Sequence, residues 1–346
     1  MSPDPSRYNR QSLVPAIGAA GQAALGSARA VVIGCGALGT HLADALVRGG
    51  LGFLRIVDRD YVELNNLQRQ ILFDEADAAE GVPKAVAAAQ RLSAINSSVV
   101  IEPVVADVTP ANIESFVGDT QVILDATDNF EIRFLINDAA VKHNIPWVYG
   151  ACVGVSGMVM SVIPGVTPCL RCVWDEPPPP GMNPTCDTAG ILAPAASIVA
   201  AMQTVEALKI LTGRHDAVTS RLMQFDVWTG QFNGFDCGTP GAGGSCRCCV
   251  ERKFDHLDAG HAGRTATLCG RDAVQIPAAG GVRLDFGRIA ASVAGVAKSP
   301  PTWNRYLLRF EVEGRQITVF ADGRAIIKGT NEPEVARTLY ARYIGT

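Results

Sequence analysis

Between Arg29 and Asp58 a β-branched run, a cluster of glycines, an apolar helical stretch and a second apolar run follow one another with almost no connecting sequence. The first run, Arg29–Ile33, ends on Gly34-Cys35-Gly36-Ala37-Leu38-Gly39. Leu38–Arg48 has helical spacing and stops at Gly49-Gly50, and Phe53–Val57 reads as a strand ending on Asp58. Strand, glycine turn, helix, strand and an acid about 20 residues past the glycines is the order of a dinucleotide-type nucleotide fold. Gly34 permits the tight turn, Gly36 lets a phosphate approach the backbone, and Gly39 lets helix and strand pack closely. The helix N-terminus adds unpaired N–H groups and the positive end of a dipole. Taken alone, the motif fits many nucleotide enzymes, with dehydrogenases the first alternative.

The alternation continues. Lys84–Ile95, Asn112–Val117 and Phe130–Lys142 read as helices, and Val99–Val105, Val122–Leu124 and Trp147–Tyr149 as strands. This pattern predicts an α/β fold, a Rossmann-like doubly wound and mostly parallel sheet. After Ala151 come short strands and loops up to Pro168. Glu176–Gly190 has no period and contains the run Pro177–Pro180, so it reads as a functional or mobile loop. Ala195–Leu211 returns to helix and Leu222–Asp226 to strand. Gly238–Ser245 is a linker of small residues and one proline. Beyond it, Tyr306–Val312 and Gln316–Phe320 alternate as a hairpin around Glu313-Gly314. Ile326–Lys328 adds a strand, and Glu332–Tyr343 is an amphipathic helix. Two domains are expected: residues 1–250, and a small C-terminal α+β domain over 251–346.

The chain of 346 residues is 48% hydrophobic and 18% charged, which fits a folded α/β protein and not a disordered one. A formal net charge of −4 argues against general nucleic-acid binding, which needs a basic face. The polar start, MSPDPSRYNRQ, has no apolar leader region. Apolar stretches such as Ile191–Ala201 are too short or too interrupted to span a bilayer. A cytoplasmic protein with no membrane contact is expected. There, ten cysteines read as metal ligands, catalytic thiols or core fillers, not disulfides.

Three groups of residues carry chemistry. The stretch Asp60–Gln70 is densely polar, and Lys84 follows at the start of the next helix. Arg69 and Lys84 could clamp a triphosphate, which a dinucleotide oxidoreductase does not need; the alternative is a solvated loop. Second, Cys169-Leu170-Arg171-Cys172 and Cys246-Arg247-Cys248-Cys249 hold two C-x-x-C pairs. Together Cys169, Cys172, Cys246 and Cys249 can close a tetrahedral, structural zinc site, with Cys248 spare. A redox C-x-x-C is the rival, though it leaves the distant second pair unexplained. Third, Cys186 sits in the irregular segment, where an exposed thiol could be a nucleophile or simply a loop residue. Cys35 reads as a small buried filler, and Cys152, Cys237 and Cys269 have no visible partners. His41, His143, His215, His256 and His261 have no triad-like spacing and read as surface or capping residues.

The chain resembles the ThiF/MoeB/HesA group, relatives of the ubiquitin-activating enzymes. The resemblance rests on RYNRQ at Arg7–Gln11, the glycine turn, VDRDYVELNNLQRQ at Val57–Gln70, GVPK at Gly81–Lys84 and DATDN at Asp125–Asn129. It extends through CLRC at Cys169–Cys172, CDTAGILAP at Cys186–Pro194 and QTVEALK at Gln203–Lys209, spanning roughly residues 7–250. It implies adenylation of the C-terminus of a small ubiquitin-like sulfur carrier with ATP and magnesium. Asp58 would hold the ribose hydroxyls, and Asn66, Arg69, Gln70 and Lys84 would line the phosphates. Asp128 would hold Mg²⁺, with Asn129 and Arg133 beside the nucleotide. From the residues alone, Asp128 could equally be the N-cap of the Phe130 helix, and Arg133 a surface charge.

Arg10 would reach into a partner subunit's nucleotide site, which implies a homodimer; without the family it is a surface charge. Cys186 would take the carrier as a thioester or acyl-disulfide. The carrier tail would end in Gly-Gly, because only glycine threads a narrow channel without side-chain clash. No rhodanese-like loop is present, Cys269 being a poor match, so sulfur would come from a separate protein. Thiamine and molybdopterin routes share this chemistry. The alternatives are an adenylating enzyme for another acceptor, such as a tRNA base or a peptide carboxylate, and a module that binds nucleotide without turnover.

Overall fold

Short apolar runs buried on both faces make a parallel sheet. β1 (Arg29–Ile33), β2 (Phe53–Val57), β3 (Val100–Val104), β4 (Val122–Asp125) and β5 (Trp147–Val153) run parallel in the order β3-β2-β1-β4-β5. Beyond β5 the sheet turns antiparallel through β6 (Ser156–Val162), β7 (Arg221–Asp226) and β8 (Gln231–Asp236), for eight strands in all. The computed structural model describes residues 5–179, 186–241, 244–258, 266–268, 273–277 and 284–345, with backbone alone at 5, 186–187 and 266–268. They form two compact units, one of the described residues up to 258 and one from 266 onward.

The helices of the first unit are α1 (Asn9–Ser12), α2 (Gly18–Ser27), α3 (Ala37–Arg48), α4 (Glu75–Glu80), α5 (Lys84–Ile95) and α6 (Ile113–Val117). They continue with α7 (Phe130–His143), α8 (Leu170–Val173), α9 (Cys186–Ala189), α10 (Ala193–Leu211) and α11 (Asp255–Asp258). One packed layer joins α2, α3, α5 and α10, and another joins α6, α7, α8 and α11. Trp147, Tyr149 and Phe134 are fully buried in the core under α7. Each such aromatic removes enough apolar area to stabilise the fold by about 4–6 kcal/mol.

Among the described helices, α10 alone is long and apolar enough to cross a membrane by length and composition, because the helix runs on past the apolar stretch Ile191–Ala201. It is a core helix: Ala195, Ala196, Val199 and Ala200 are buried, and Gln203 lies flat on the sheet. The Gln203 amide donates to the Asp125 and Val148 carbonyls at 2.7 and 3.1 Å, occupying the space a side chain at Gly150 would need.

The second unit is an antiparallel sheet of six strands in the order β11-β12-β13-β14-β10-β9. These are β9 (Ala266–Leu268), β10 (Ala273–Ile276), β11 (Thr302–Trp303), β12 (Leu307–Val312), β13 (Arg315–Phe320) and β14 (Ala325–Lys328). Helices α12 (Phe286–Val293) and α13 (Pro333–Tyr343) share its core with Leu308, Phe310, Ile317, Val319 and Ile327. The β12–β13 turn puts Glu313 and Gly314 at φ 52° and 71°, the left-handed pair of a two-residue hairpin. Glu313 departs from the glycine or asparagine usual there. Its carboxylate accepts from Arg342 at 2.5 Å and the Tyr343 hydroxyl at 2.7 Å, which ties the turn to α13.

Candidate nucleotide site and cysteine centre

The glycine turn sits where the sheet order reverses, between β1 and β4, the place where open α/β sheets take ligands. Gly34 has φ 94°, and a Cβ there would lie 2.6 Å from the Ala126 carbonyl oxygen. A Cβ on Gly39 would overlap the Gly34 carbonyl oxygen. A Cβ on Gly36 would meet nothing closer than Gln70 Nε2, at 3.9 Å. The three glycines therefore differ: two are required by packing, and Gly36 borders open space at the N-cap of α3.

That difference can be measured. Gly39→Ala is expected to lose about 1–3 kcal/mol by overpacking, read as a lower melting temperature. Gly36→Ala is expected to melt as the wild type does, but to lose the stabilisation that added Mg·ATP provides. Wild-type ligand stabilisation in Gly36→Ala would refute the phosphate approach at this glycine.

Asp58 closes the turn from β2. Its carboxylate accepts from the Cys35 N–H at 2.5 Å and the Asp60 N–H at 2.6 Å. Burial pushes its pKa up, against the opposing pull of Lys84. Lys84 is buried at the start of α5. Its Nζ lies 3.2 Å from Asp60 Oδ2, and its N–H donates to the Asp60 carbonyl at 2.9 Å. Asn66 caps the short turn Leu64–Asn66 by accepting from the Glu63 N–H at 3.0 Å. Arg69 donates to the Asn65 carbonyl at 2.8 Å. Gln70 is buried, and its Oε1 has no hydrogen-bond partner among the described residues. A buried acceptor left open beside the glycine turn suits a ligand or a bound water.

The turn after β4 is rigid for a visible reason. Asp125 is fully buried and accepts from Thr127 N and Oγ1 at 2.9 and 2.7 Å and from Arg133 Nε at 3.2 Å. Arg133 also donates to the Thr127 and Gly150 carbonyls at 2.7 and 3.2 Å. It is not a surface charge: it is 6% exposed and braces the turn from inside. Asn129, whose side chain accepts from the Ile132 N–H, is the N-cap of α7. The capping reading of Asp128 is thereby corrected: the cap falls one residue later, and Asp128 stands exposed at the strand end.

Sequence reasoning gave no role to Arg59, Asp60 or Asp107. Arg59 Nη1 lies 3.0 Å from Asp107 Oδ1, and its Nε lies 3.8 Å from Asp60 Oδ1. The alternation Asp58-Arg59-Asp60 at a strand end was the available signal. Its meaning depends on Asp107 and Lys84, which only the fold brings alongside.

At the other end of α3, Tyr8 fills the space that a Cβ on Gly50 would need and accepts from Asn96 Nδ2 at 2.8 Å. Gln11 donates to the Gly49 carbonyl at 2.9 Å. This anchored segment leaves Arg10 exposed. A helix of 12 residues, about 18 Å long, separates it from the glycine turn of its own chain. His41 corrects another expectation. It is a half-buried tie, with Nε2 2.8 Å from Ser197 Oγ and Nδ1 2.8 Å from the Ala37 carbonyl, joining α3 to α10. His256, half-buried, packs its ring 5.1 Å from that of Phe134.

The two C-x-x-C pairs meet. Cys169, Cys172, Cys246 and Cys249 bring their sulfurs within 4.8 Å of one another. The Cys169–Cys246 and Cys172–Cys249 distances are both 3.5 Å, and Cys169–Cys172 is 3.8 Å. Tetrahedral zinc with bonds of about 2.3 Å needs sulfurs ~3.8 Å apart, so the cage fits that ion. Burial and the hydrogen-bonded Cys172 push the Cys249 thiol up to about 12, the crowding that a bound cation would relieve. Cys248 is outside the group of four but beside it: it is buried, accepts from Asn137 Nδ2 at 3.2 Å and also bonds the side chains of Cys169 and Asp138. Asn137 Oδ1 also accepts from the Leu170 N–H at 2.8 Å, tying both cysteine turns to α7. The Cys186 side chain and all of Cys269 lie outside the described residues.

A mostly parallel sheet with a glycine turn at its switch point, basic residues beside it and a four-cysteine group that could hold a metal ion defines an α/β protein of the nucleotide-binding type. The model of the ThiF family matches residues 8–248, and the chain belongs to that family. It is 43% identical to the sulfur carrier protein ThiS adenylyltransferase of Bacillus subtilis, over 98% of this chain and 99% of that protein. It is 36% identical to a sulfur carrier protein adenylyltransferase of Thermus thermophilus, over 65% of this chain and 84% of that one. The fold is shared with Escherichia coli MccB, solved with ATP, at TM-score 0.61 and 20% identity, covering 71% of this chain and 75% of that one.

Proposed function

We propose that the chain is an enzyme that adenylylates the C-terminal glycine of a ubiquitin-like sulfur carrier, using ATP. The observation that carries this reading is the glycine turn at the β1–β4 switch point, with Asp58 bonded to it, Lys84 acting on Asp58 and the open acceptor of Gln70 beside it. The carrier carboxylate attacks the α-phosphorus of ATP, an acyl-phosphate bond forms, and pyrophosphate leaves with the electron pair of the bond that breaks. Asp58 holds the ribose, while Asn66, Arg69, Gln70 and Lys84 neutralise and orient the phosphates. Asp128 would hold Mg²⁺, which when bound would supply positive charge to the phosphate oxygens. Arg133 and Asn129 keep the Asp128 turn in place. Zinc in the four-cysteine cage is structural, and reduced thiols there suit the cytoplasm.

Cys186 is the acceptor for any later covalent step. Pyrophosphate exchange tests the reading. Exchange is expected only with a carrier ending in Gly-Gly. No exchange under any condition overturns the activity, and exchange with other tails overturns the sulfur-carrier assignment.

Arg10 acts across a homodimer, since its own glycine turn is a helix length away. Arg10→Ala and Asp128→Ala are each expected to be inactive alone. Mixed and reassorted, they should regain about a quarter of wild-type activity, because half the dimers are hybrid and each hybrid has one intact site. No recovery would remove the cross-subunit role.

A further inference from the structure

Arg59 lies among more charges than any residue the proposed chemistry uses. Its guanidinium is anchored by Asp107 at 3.0 Å, and the Asp107 segment is fixed in turn by Asn112 Nδ2 donating to the Asp107 carbonyl at 2.8 Å. Asp60 is shared between two cations. Arg59 Nε approaches Oδ1 at 3.8 Å, while Lys84 Nζ meets Oδ2 at 3.2 Å. Asp128 also acts on Arg59, and Asp58 on Lys84. Four carboxylates, those of Asp58, Asp60, Asp107 and Asp128, are thus balanced by two cations at the ends of β2, β3 and β4. The formal charge of the group is −2, and without Arg59 it would be −3. On the proposed reading a triphosphate enters beside this cluster, and Arg59, Asp60, Lys84 and Asp107 are buried or part-buried, where charges are screened less than at an open surface.

We propose that Arg59 is a positioning residue of the nucleotide site: it holds Asp60 from the side opposite Lys84 and keeps Asp60 neutralised when Lys84 turns to the triphosphate. The inference rests on the reading of Lys84 as a phosphate ligand. Lys84 cannot serve both anions fully, and a carboxylate abandoned beside incoming phosphates would oppose binding. Arg59 removes that conflict because its fork spans Asp60 and Asp107 together, which a point charge does less well.

The test is calorimetric binding of Mg·ATP to the full chain, with no carrier present. Arg59→Met is expected to weaken binding about tenfold, with the loss shrinking at high salt. Arg59→Lys is expected to recover most of the loss. Arg59→Gln, which keeps a polar side chain without the charge, should weaken binding about as much as Arg59→Met does and serves should Arg59→Met fail to fold. A merely structural strut would lower the melting temperature and leave the affinity of the folded protein unchanged. Unchanged affinity in Arg59→Met, or equal weakening in the Met and Lys variants, overturns the role. Lys84→Ala is measured in parallel. If it binds Mg·ATP as the wild type does, the phosphate reading of Lys84 fails and this proposal fails with it. If Lys84→Ala is weakened and Arg59→Met is not, the Arg59 role alone is lost.

Discussion

Asp128→Ala is expected to abolish adenylate formation without disturbing the fold. Asp128 is exposed and follows a turn whose shape is set by other groups. Asp125 takes three hydrogen bonds from Thr127 and Arg133, and the α7 cap belongs to Asn129. Removing the Asp128 carboxylate leaves the α7 cap and the Asp125 turn intact, and the buried Arg59 and Arg133 on which it acts keep Asp107 and Asp125 as partners, so the melting temperature should fall by no more than about 2–4 °C. The chemical loss should be large. A preorganised group acting on transition-state charge contributes a factor of about 10²–10³, and here it also holds the cation.

Pyrophosphate exchange should fall by at least that factor and should not be restored by raising ATP. Asn129→Ala is the control that separates position from chemistry. It should cost about 1 kcal/mol as a lost N-cap and keep most of the exchange activity. Substantial exchange in Asp128→Ala would refute the magnesium role and shift attention to the Asp60 cluster.

The nucleotide half of the fold was legible because β1, β2, β4 and β5 are largely buried on both faces and its turns are punctuated by glycine. Phe53–Val57 and Lys84–Ile95 appear with the bounds that their periodicity predicts. β8 was not legible, because all of its residues are exposed and no burial pattern marks it. Residue type exposed the four cysteines, since C-x-x-C spacing is local even when the partner pair is 77 residues away. Arg59, Asp107 and His41 were not recoverable in that way. Each acts through a residue on a different strand or helix, and only the order β3-β2-β1-β4 puts the ends of β2 and β3 side by side. Arg133 was misweighed for the same reason. In the sequence it is a cation on a helix, whereas in the fold it fills a buried pocket behind the site.

Cys172→Ser is the other large effect, and it falls on stability. The cysteine centre joins the loop after β6 to the chain beyond β8, closing a loop of 77 residues. By the chain-entropy estimate for cross-links, closing a loop of that length is worth about 4 kcal/mol, before the metal bonds themselves are considered. For a domain of this size 1 kcal/mol moves the melting temperature by about 2–4 °C, so loss of the site should lower it by roughly 8–16 °C. The variant should also lose its bound metal, measured by elemental analysis, and wild-type protein treated with a strong chelator should melt at the same reduced temperature. Cys248→Ala discriminates a specific cage from a general sensitivity to cysteine loss. Cys248 is fully buried and bonds Asn137, but it stands outside the group of four. It should retain one metal per chain and lose only the 1–3 kcal/mol of an unsatisfied buried partner. If Cys172→Ser kept its metal, or melted as the wild type does, the four sulfurs would be a packed thiol cluster and the structural zinc assignment would be wrong.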